Sequence, residues 1–175
     1  MFPTPIILDD VLPKQYADKI EDTLFSNTFP WMFSEDITYN SPSQKTPAFS
    51  HLFYDTEHGM ISPYQYLIEP IYFTALEKAQ YGKMRCIQAR SFFQLPLLNR
   101  REYNNRHVDN KMPHVVVLYY VNDTDGDTFF FNKDEITHRV APKKNRAVVF
   151  DGSIHHSSST PTITKRAVIN FNLVR

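Results

Sequence analysis

From Met84 onward the chain is written as short runs of β-branched and aromatic residues punctuated by Asn, Asp, Gly, Pro and Lys. The runs are Met84 to Leu95, His114 to Asn122, Thr128 to Asn132, His138 to Ala141, Ala147 to Phe150 and Arg166 to Val174. Val, Ile, Tyr and Phe suit the pleated, half-buried surface of a sheet, and the intervening clusters supply turns. Short strands at this even spacing predict a mainly β fold, an antiparallel double-stranded β-helix of the jelly-roll kind.

The region before Lys83 reads differently. Tyr16, Ile20 and Leu24 recur every fourth position between Leu12 and Phe25, the spacing of one helical face, with Pro13 in the first turn. Ser62-Pro63 reads as a cap and first residue of a second helix toward Tyr81, kinked or restarted at Pro70 and stopped at Gly82. Between the helices, residues 27–63 predict loops with one or two short strands, for example around Phe49 to Tyr54. The expectation is a single domain: residues 1–82 as helical and loop support packed on one sheet, residues 83–175 as the jelly-roll core.

Composition removes several alternatives. A domain of this size buries about 70% of the surface its unfolded chain exposes, so no disulfide is needed for a core. Cys86, the only cysteine, can form none within the chain. Lys and Arg number 19 against 19 Asp and Glu, which argues against a broad grip on nucleic acid or an anionic membrane. Met1 to Pro5 shows no basic segment followed by an apolar run, and no stretch reaches the roughly 20 apolar residues of a membrane helix. A cytoplasmic protein is the expectation.

His107-Val108-Asp109 sets an imidazole and a carboxylate two positions apart, on the same side of an extended segment. Further on stand His155 and His156, and ten residues past His156 comes Arg166 at the head of the last apolar run. Two histidines and one carboxylate on one face of an iron leave adjacent positions open, the facial triad of non-heme Fe(II) oxygenases. A 2-oxo acid chelating two of those positions needs a cation for its far carboxylate, a task suited to the planar, always charged guanidinium. His51, His58, His114 and His138 read as structural or exposed.

The stretch from His107 to Leu173 resembles the catalytic core of the Fe(II)/2-oxoglutarate-dependent dioxygenases, and within them the prolyl 4-hydroxylase-like group. The resemblance is carried by His107-Val108-Asp109-Asn110, Leu118-Tyr119-Tyr120-Val121-Asn122-Asp123 and Gly126-Asp127-Thr128-Phe129-Phe130-Phe131, then by Pro142 to Phe150, His156 and Arg166. It implies His107, Asp109 and His156 as iron ligands, with the interval to Arg166 favouring His156 over His155. Arg166 and Tyr120 would bind the distal carboxylate of 2-oxoglutarate. Three departures stand out: Asp125-Gly126-Asp127 where the family usually writes two glycines, Lys144-Asn145-Arg146 where it has a glycine, and Arg90 to Gln94 where prolyl hydroxylases commonly carry a tyrosine.

The implied activity is hydroxylation of a C–H bond with Fe(II), 2-oxoglutarate and O2, giving succinate and CO2, with ascorbate as an auxiliary reductant. Peptidyl proline is the first substrate implied; another protein side chain or a free amino acid is the alternative. The partner would then be a peptide, a protein or a small amino-acid-like molecule, with no nucleic acid or membrane, and the protein a monomer or homodimer. A bacterial or viral source fits so compact an oxygenase. The rival of a different class is a non-catalytic jelly-roll metal-binding protein, disfavoured because the full residue set stands. Substrate contacts are expected from Arg90 on the inner wall, Arg106 with Arg100 and Arg101 at the rim, and a lid containing Trp31, Phe33 and Tyr39.

Overall fold

The computed structural model describes residues 4–37, 45–97 and 102–175. The elements are β1 (Ile6–Leu8), α1 (Lys14–Leu24), β2 (Met32–Ser34), β3 (Ala48–Asp55), β4 (Gly59–Met60) and α2 (Gln65–Lys78). They continue as β5 (Arg85–Gln94), β6 (Val115–Tyr120), β7 (Thr128–Asn132), β8 (Glu135–Val140), β9 (Arg146–Asp151), β10 (His155–Ser158) and β11 (Arg166–Val174). The large sheet runs β1-β9-β6-β11-β5-β3-β2, with β4 hung on β3; the small sheet is β10-β7-β8. Every pairing is antiparallel.

Strand alternation sorts the large sheet's residues into two layers. Val117, Tyr119, Ala167, Ile169 and Phe171 face Ile20 and Leu24 of α1 and Ile68, Ile71 and Ala75 of α2. Cutting Ile71 back to alanine in such a layer costs about 2–5 kcal/mol. The opposite parity, Val116, Leu118, Tyr120, Val148, Phe150 and Val168, closes against Phe130 and Val140 of the small sheet. In β7, the flanking Phe129 and Phe131 turn outward, where the Tyr103 ring covers both at 5.6 and 4.9 Å. The barrel interior thus belongs to even-numbered positions of β5, β6 and β11.

Several boundaries differ from the sequence expectation, each for a local reason. Residues 1–82 hold four strands: β3 covers the Phe49 to Tyr54 run expected as one, and β1, β2 and β4 join it. Pro13 caps α1 rather than entering it. Helix α2 begins at Gln65, after a turn in which the Ser62 hydroxyl accepts from the Tyr64 N–H at 3.3 Å. It runs unbroken through Pro70, because the carbonyl left without its N–H belongs to Tyr66, an exposed residue that water can serve. It ends before Gly82: Gln80 adopts the left-handed conformation (φ 58°), and the N–H groups of Gln80 and Tyr81 return to the carbonyls of Glu77 and Leu76. Asn145, standing where a glycine is usual, is also left-handed at φ 65°. Its amide pairs with both backbone groups of Leu12 at 2.8 and 3.0 Å, tying the entry of α1 to the β8–β9 turn.

Candidate active site

Two backbone hydrogen bonds build the site's floor. His107 and His156 form an antiparallel bridge in which each N–H donates to the other's carbonyl at 3.0 Å. Such a pair places its side chains on the same face, and the two imidazoles stand 4.7 Å apart between ring centres. Each ring's Nδ1 donates to the carbonyl two residues earlier, of Asn105 and Ile154 respectively, at 3.1 Å. That fixes the tautomer and leaves both Nε2 lone pairs facing one point. Asp109 Oδ1 joins them, 3.7 Å from each Nε2. One donor atom from each residue lies within 4.8 Å of the others, the one such cluster among the described residues that could hold a metal ion. His155, next along β10, is exposed on the opposite side.

Charge suits the same geometry. Burial works against ionisation of Asp109, yet the two histidines and the Asn170 amide overcome it and hold the carboxyl well below the usual carboxylate range. Burial and the neighbouring His156 push His107 down toward its neutral form. Burial opposes the charge on His156 as well, but Asp109 overrides it and pulls that imidazole upward. A divalent cation would take the place of that proton. Neutral nitrogens, an ionised oxygen and no thiolate form a donor set that fits Fe(II).

From the triad a cavity of about 300 Å³ leads to Arg166. That guanidinium is 3% exposed and donates to Gly126 O at 2.7 Å, Gln94 Oε1 at 3.1 Å and Thr128 Oγ1 at 3.3 Å. Among the described residues it forms no ion pair; Asp127 on the neighbouring turn is engaged by Arg139. A buried cation with no carboxylate in direct contact suits an anionic ligand. Arg166 and Asn170, the latter bonded to Asp109, are four residues apart on β11, or about 13 Å along the strand. The triad, Asn170 and Arg166 line one cavity, so a dicarboxylate with one end at the triad and the other at Arg166 would lie along this strand, the side chains making up the rest of the span. Gly126 is required here by close approach, since a Cβ on it would lie 2.6 Å from Arg166 Cδ and 2.9 Å from the Ser159 carbonyl.

The remaining expected residues are placed as follows. Tyr120 is fully buried and stands behind the wall: its hydroxyl donates to Thr128 Oγ1 at 2.7 Å, and Thr128 lines the cavity. Arg90 lines the cavity beside Gln88 and Phe92 on β5, its guanidinium 6.0 Å from the Phe92 ring centre. Trp31 does not reach it. Its indole N–H donates to Leu24 O at 2.9 Å and its ring stacks on Phe93 at 5.3 Å, so it closes the seam between α1 and the sheet. Phe33 is 63% exposed against Phe49. Arg106 turns away to bind Lys133 O at 2.7 Å and Asp134 at 2.9 Å, bracing the β7–β8 turn. Tyr39, Arg100 and Arg101 lie outside the described residues. The sequence assigns no site role to Asn170 or Thr128, although β11 parity sets Asn170 on the same face as Arg166 and both line the cavity.

Residues 93–174 match the family model described as the 2OG-Fe(II) oxygenase superfamily. No curated protein matches the chain by sequence. Among solved structures, an oxidoreductase of the 2OG-Fe(II) oxygenase family from Burkholderia pseudomallei superposes with a TM-score of 0.76 at 9% identity, covering 97% of this chain and 84% of its own. A prolyl hydroxylase from Trichoplax adhaerens, solved with a hypoxia-inducible-factor peptide fragment, gives 0.69 at 14% identity over 97% and 82%. The α-ketoglutarate-dependent epimerase SnoN of nogalamycin biosynthesis gives 0.65 at 10% identity over 98% and 76%. At these identities the likeness establishes the fold. No helix among the described residues is long and apolar enough to cross a membrane.

Proposed function

We propose that this chain, whose residues 93–174 match the 2OG-Fe(II) oxygenase superfamily model, hydroxylates a C–H bond of a peptidyl proline. Succinate and CO2 are the co-products of that reading. The observation that carries the oxygenase part of this reading is the pairing, along one cavity, of a His-Asp-His cluster with a buried guanidinium that makes no ion pair among the described residues. His107, Asp109 and His156 would hold Fe(II), which with 2-oxoglutarate and O2 supplies the oxidising chemistry when bound.

The chain's own residues do the rest. Arg166 holds the distal carboxylate of the cosubstrate. The Thr128 hydroxyl accepts from both Tyr120 and Arg166; a hydroxyl has two lone pairs and one proton, so its proton is left to donate into the cavity. Leu118, Phe92 and Val168 form the apolar wall between the two ends and keep water from the cosubstrate's chain. A cavity of about 300 Å³ is at the small end for ligand sites, with room for the diacid and only the reacting part of a larger substrate.

A second substrate reading, a free amino acid or another protein side chain, is favoured by one observation. Near the triad the wall is polar, with Gln88, Arg90 and Asn170, and Trp31 is committed elsewhere. The two readings separate when the Fe(II)-loaded protein is given 2-oxoglutarate with proline-containing peptides in one series and free amino acids in another. Succinate and the gain of one oxygen by the substrate are followed together. Coupled oxidation of a prolyl peptide supports the first reading; coupling only in the other series replaces it and keeps the oxygenase class.

A further inference from the structure

Asn170 sits mid-sheet on β11, opposite Arg90 on β5 and Leu118 on β6. Its Nδ2 donates to Asp109 Oδ2 at 2.9 Å, while Oδ1 of the same carboxylate lies 3.7 Å from Nε2 of both His107 and His156. The carboxylate is thereby divided: one oxygen faces the common point of the cluster, and the other is turned to a donor on a different strand. Asn170 also lines the cavity, and its own Oδ1 is buried without a partner among the described residues.

We propose that Asn170 is a positioning residue that keeps Asp109 a one-oxygen ligand, and so preserves the open positions the cosubstrate needs. The inference rests on the metal-centre reading above. A six-coordinate ion held by three protein atoms has room for a two-point chelate and one further ligand. A carboxylate free to rotate offers both oxygens and fills one of those places. Because β11 is fixed by strands on both sides, the Asn170 amide is a rigid stop against that rotation. Partners that orient metal ligands in this way are worth about 10–100-fold in metal affinity or activity when removed.

Two variants test this: Asn170→Leu, close in volume but without a donor, and Asn170→Ser, too small to overpack the cavity. Each is loaded with Co(II), whose visible spectrum reports coordination number, and titrated anaerobically with 2-oxoglutarate; circular dichroism checks the fold. The expected result is a Co(II) spectrum altered before any 2-oxoglutarate is added, with cosubstrate affinity reduced about 10–100-fold. Arg166→Ala should reduce that affinity with the starting spectrum unchanged. If the folded Asn170 variants keep both the parent spectrum and the parent affinity, Asn170 has no positioning role. Should His107→Ala bind Co(II) as tightly as the parent, the metal-centre reading itself fails, a separate outcome.

Discussion

Tyr120 reaches the cavity through Thr128, whose Oγ1 accepts the tyrosine hydroxyl at 2.7 Å. Thr128 also receives Arg166 at 3.3 Å, so both lone pairs are engaged and the threonine proton points to whatever occupies the pocket. The expected order of effects on 2-oxoglutarate affinity is therefore Thr128→Val above Tyr120→Phe. Tyr120→Phe removes one neutral hydrogen bond behind the wall, about 1 kcal/mol or roughly fivefold. Calorimetric titration with a redox-inert metal measures both, and a larger loss for Tyr120→Phe would reverse the assignment.

Arg166 should set selectivity for chain length. Its depth is fixed by β11 pairing with β5 and by the Gly126 carbonyl it grips. Arg166→Ala leaves a desolvated carboxylate without its partner, a loss of about 3–5 kcal/mol, and should abolish the preference for 2-oxoglutarate over shorter 2-oxo acids. Competition binding with pyruvate and oxaloacetate checks this. A variant that retains the parent's preference would remove Arg166 from the site.

The stability of the fold should depend on pH through His51. Its Nδ1 lies 3.0 Å from Pro30 O, its Nε2 2.8 Å from the Ser62 hydroxyl, and its ring among Phe29 and Phe53. Burial pushes this imidazole below its ordinary value, opposed in part by the Pro30 carbonyl. The unfolded chain, with a histidine pKa of about 6.5, then binds more protons in the window beneath that value. Stability is full above it and falls as pH drops through the window. Denaturant unfolding at several pH values, compared with His51→Gln, should show a flatter acid limb in the variant; parallel limbs would acquit His51.

Most of this architecture is legible in the sequence because strand alternation carries it. The runs Thr128 to Asn132 and Arg166 to Val174 coincide with β7 and β11, and the even positions of β6 and β11 face inward as their parity requires. Strands β1 and β10 are harder to read. Ile6–Leu8 has only three residues, and His155–Ser158 contains no β-branched or large apolar side chain; pairing with β9 and β7 makes them strands. Trp31 illustrates the other gap. An aromatic loop residue suits a lid or a seam equally well, and only the position of α1, whose Leu24 carbonyl takes the indole N–H, decides. Asn170 needs the path of the loop carrying Asp109, which no local pattern encodes.

Cys86 offers a clean reporter of global opening. Burial pushes its thiol up to about 12, and it lies in the layer between α2 and the large sheet. At neutral pH the folded protein should resist iodoacetamide while the denatured protein reacts fully, as mass spectrometry would show. Rapid alkylation under native conditions would mean that the helix layer opens locally.

An iron site formed by His107, Asp109 and His156 and served by Arg166 should reveal itself in an anaerobic titration of Fe(II) and 2-oxoglutarate, through the visible absorption of the metal–2-oxo acid chelate. The band should form in the parent and in His155→Ala, and be lost in His107→Ala, Asp109→Ala and His156→Ala. A band that survives in any of those last three, or that disappears in His155→Ala, would rule this metal site out.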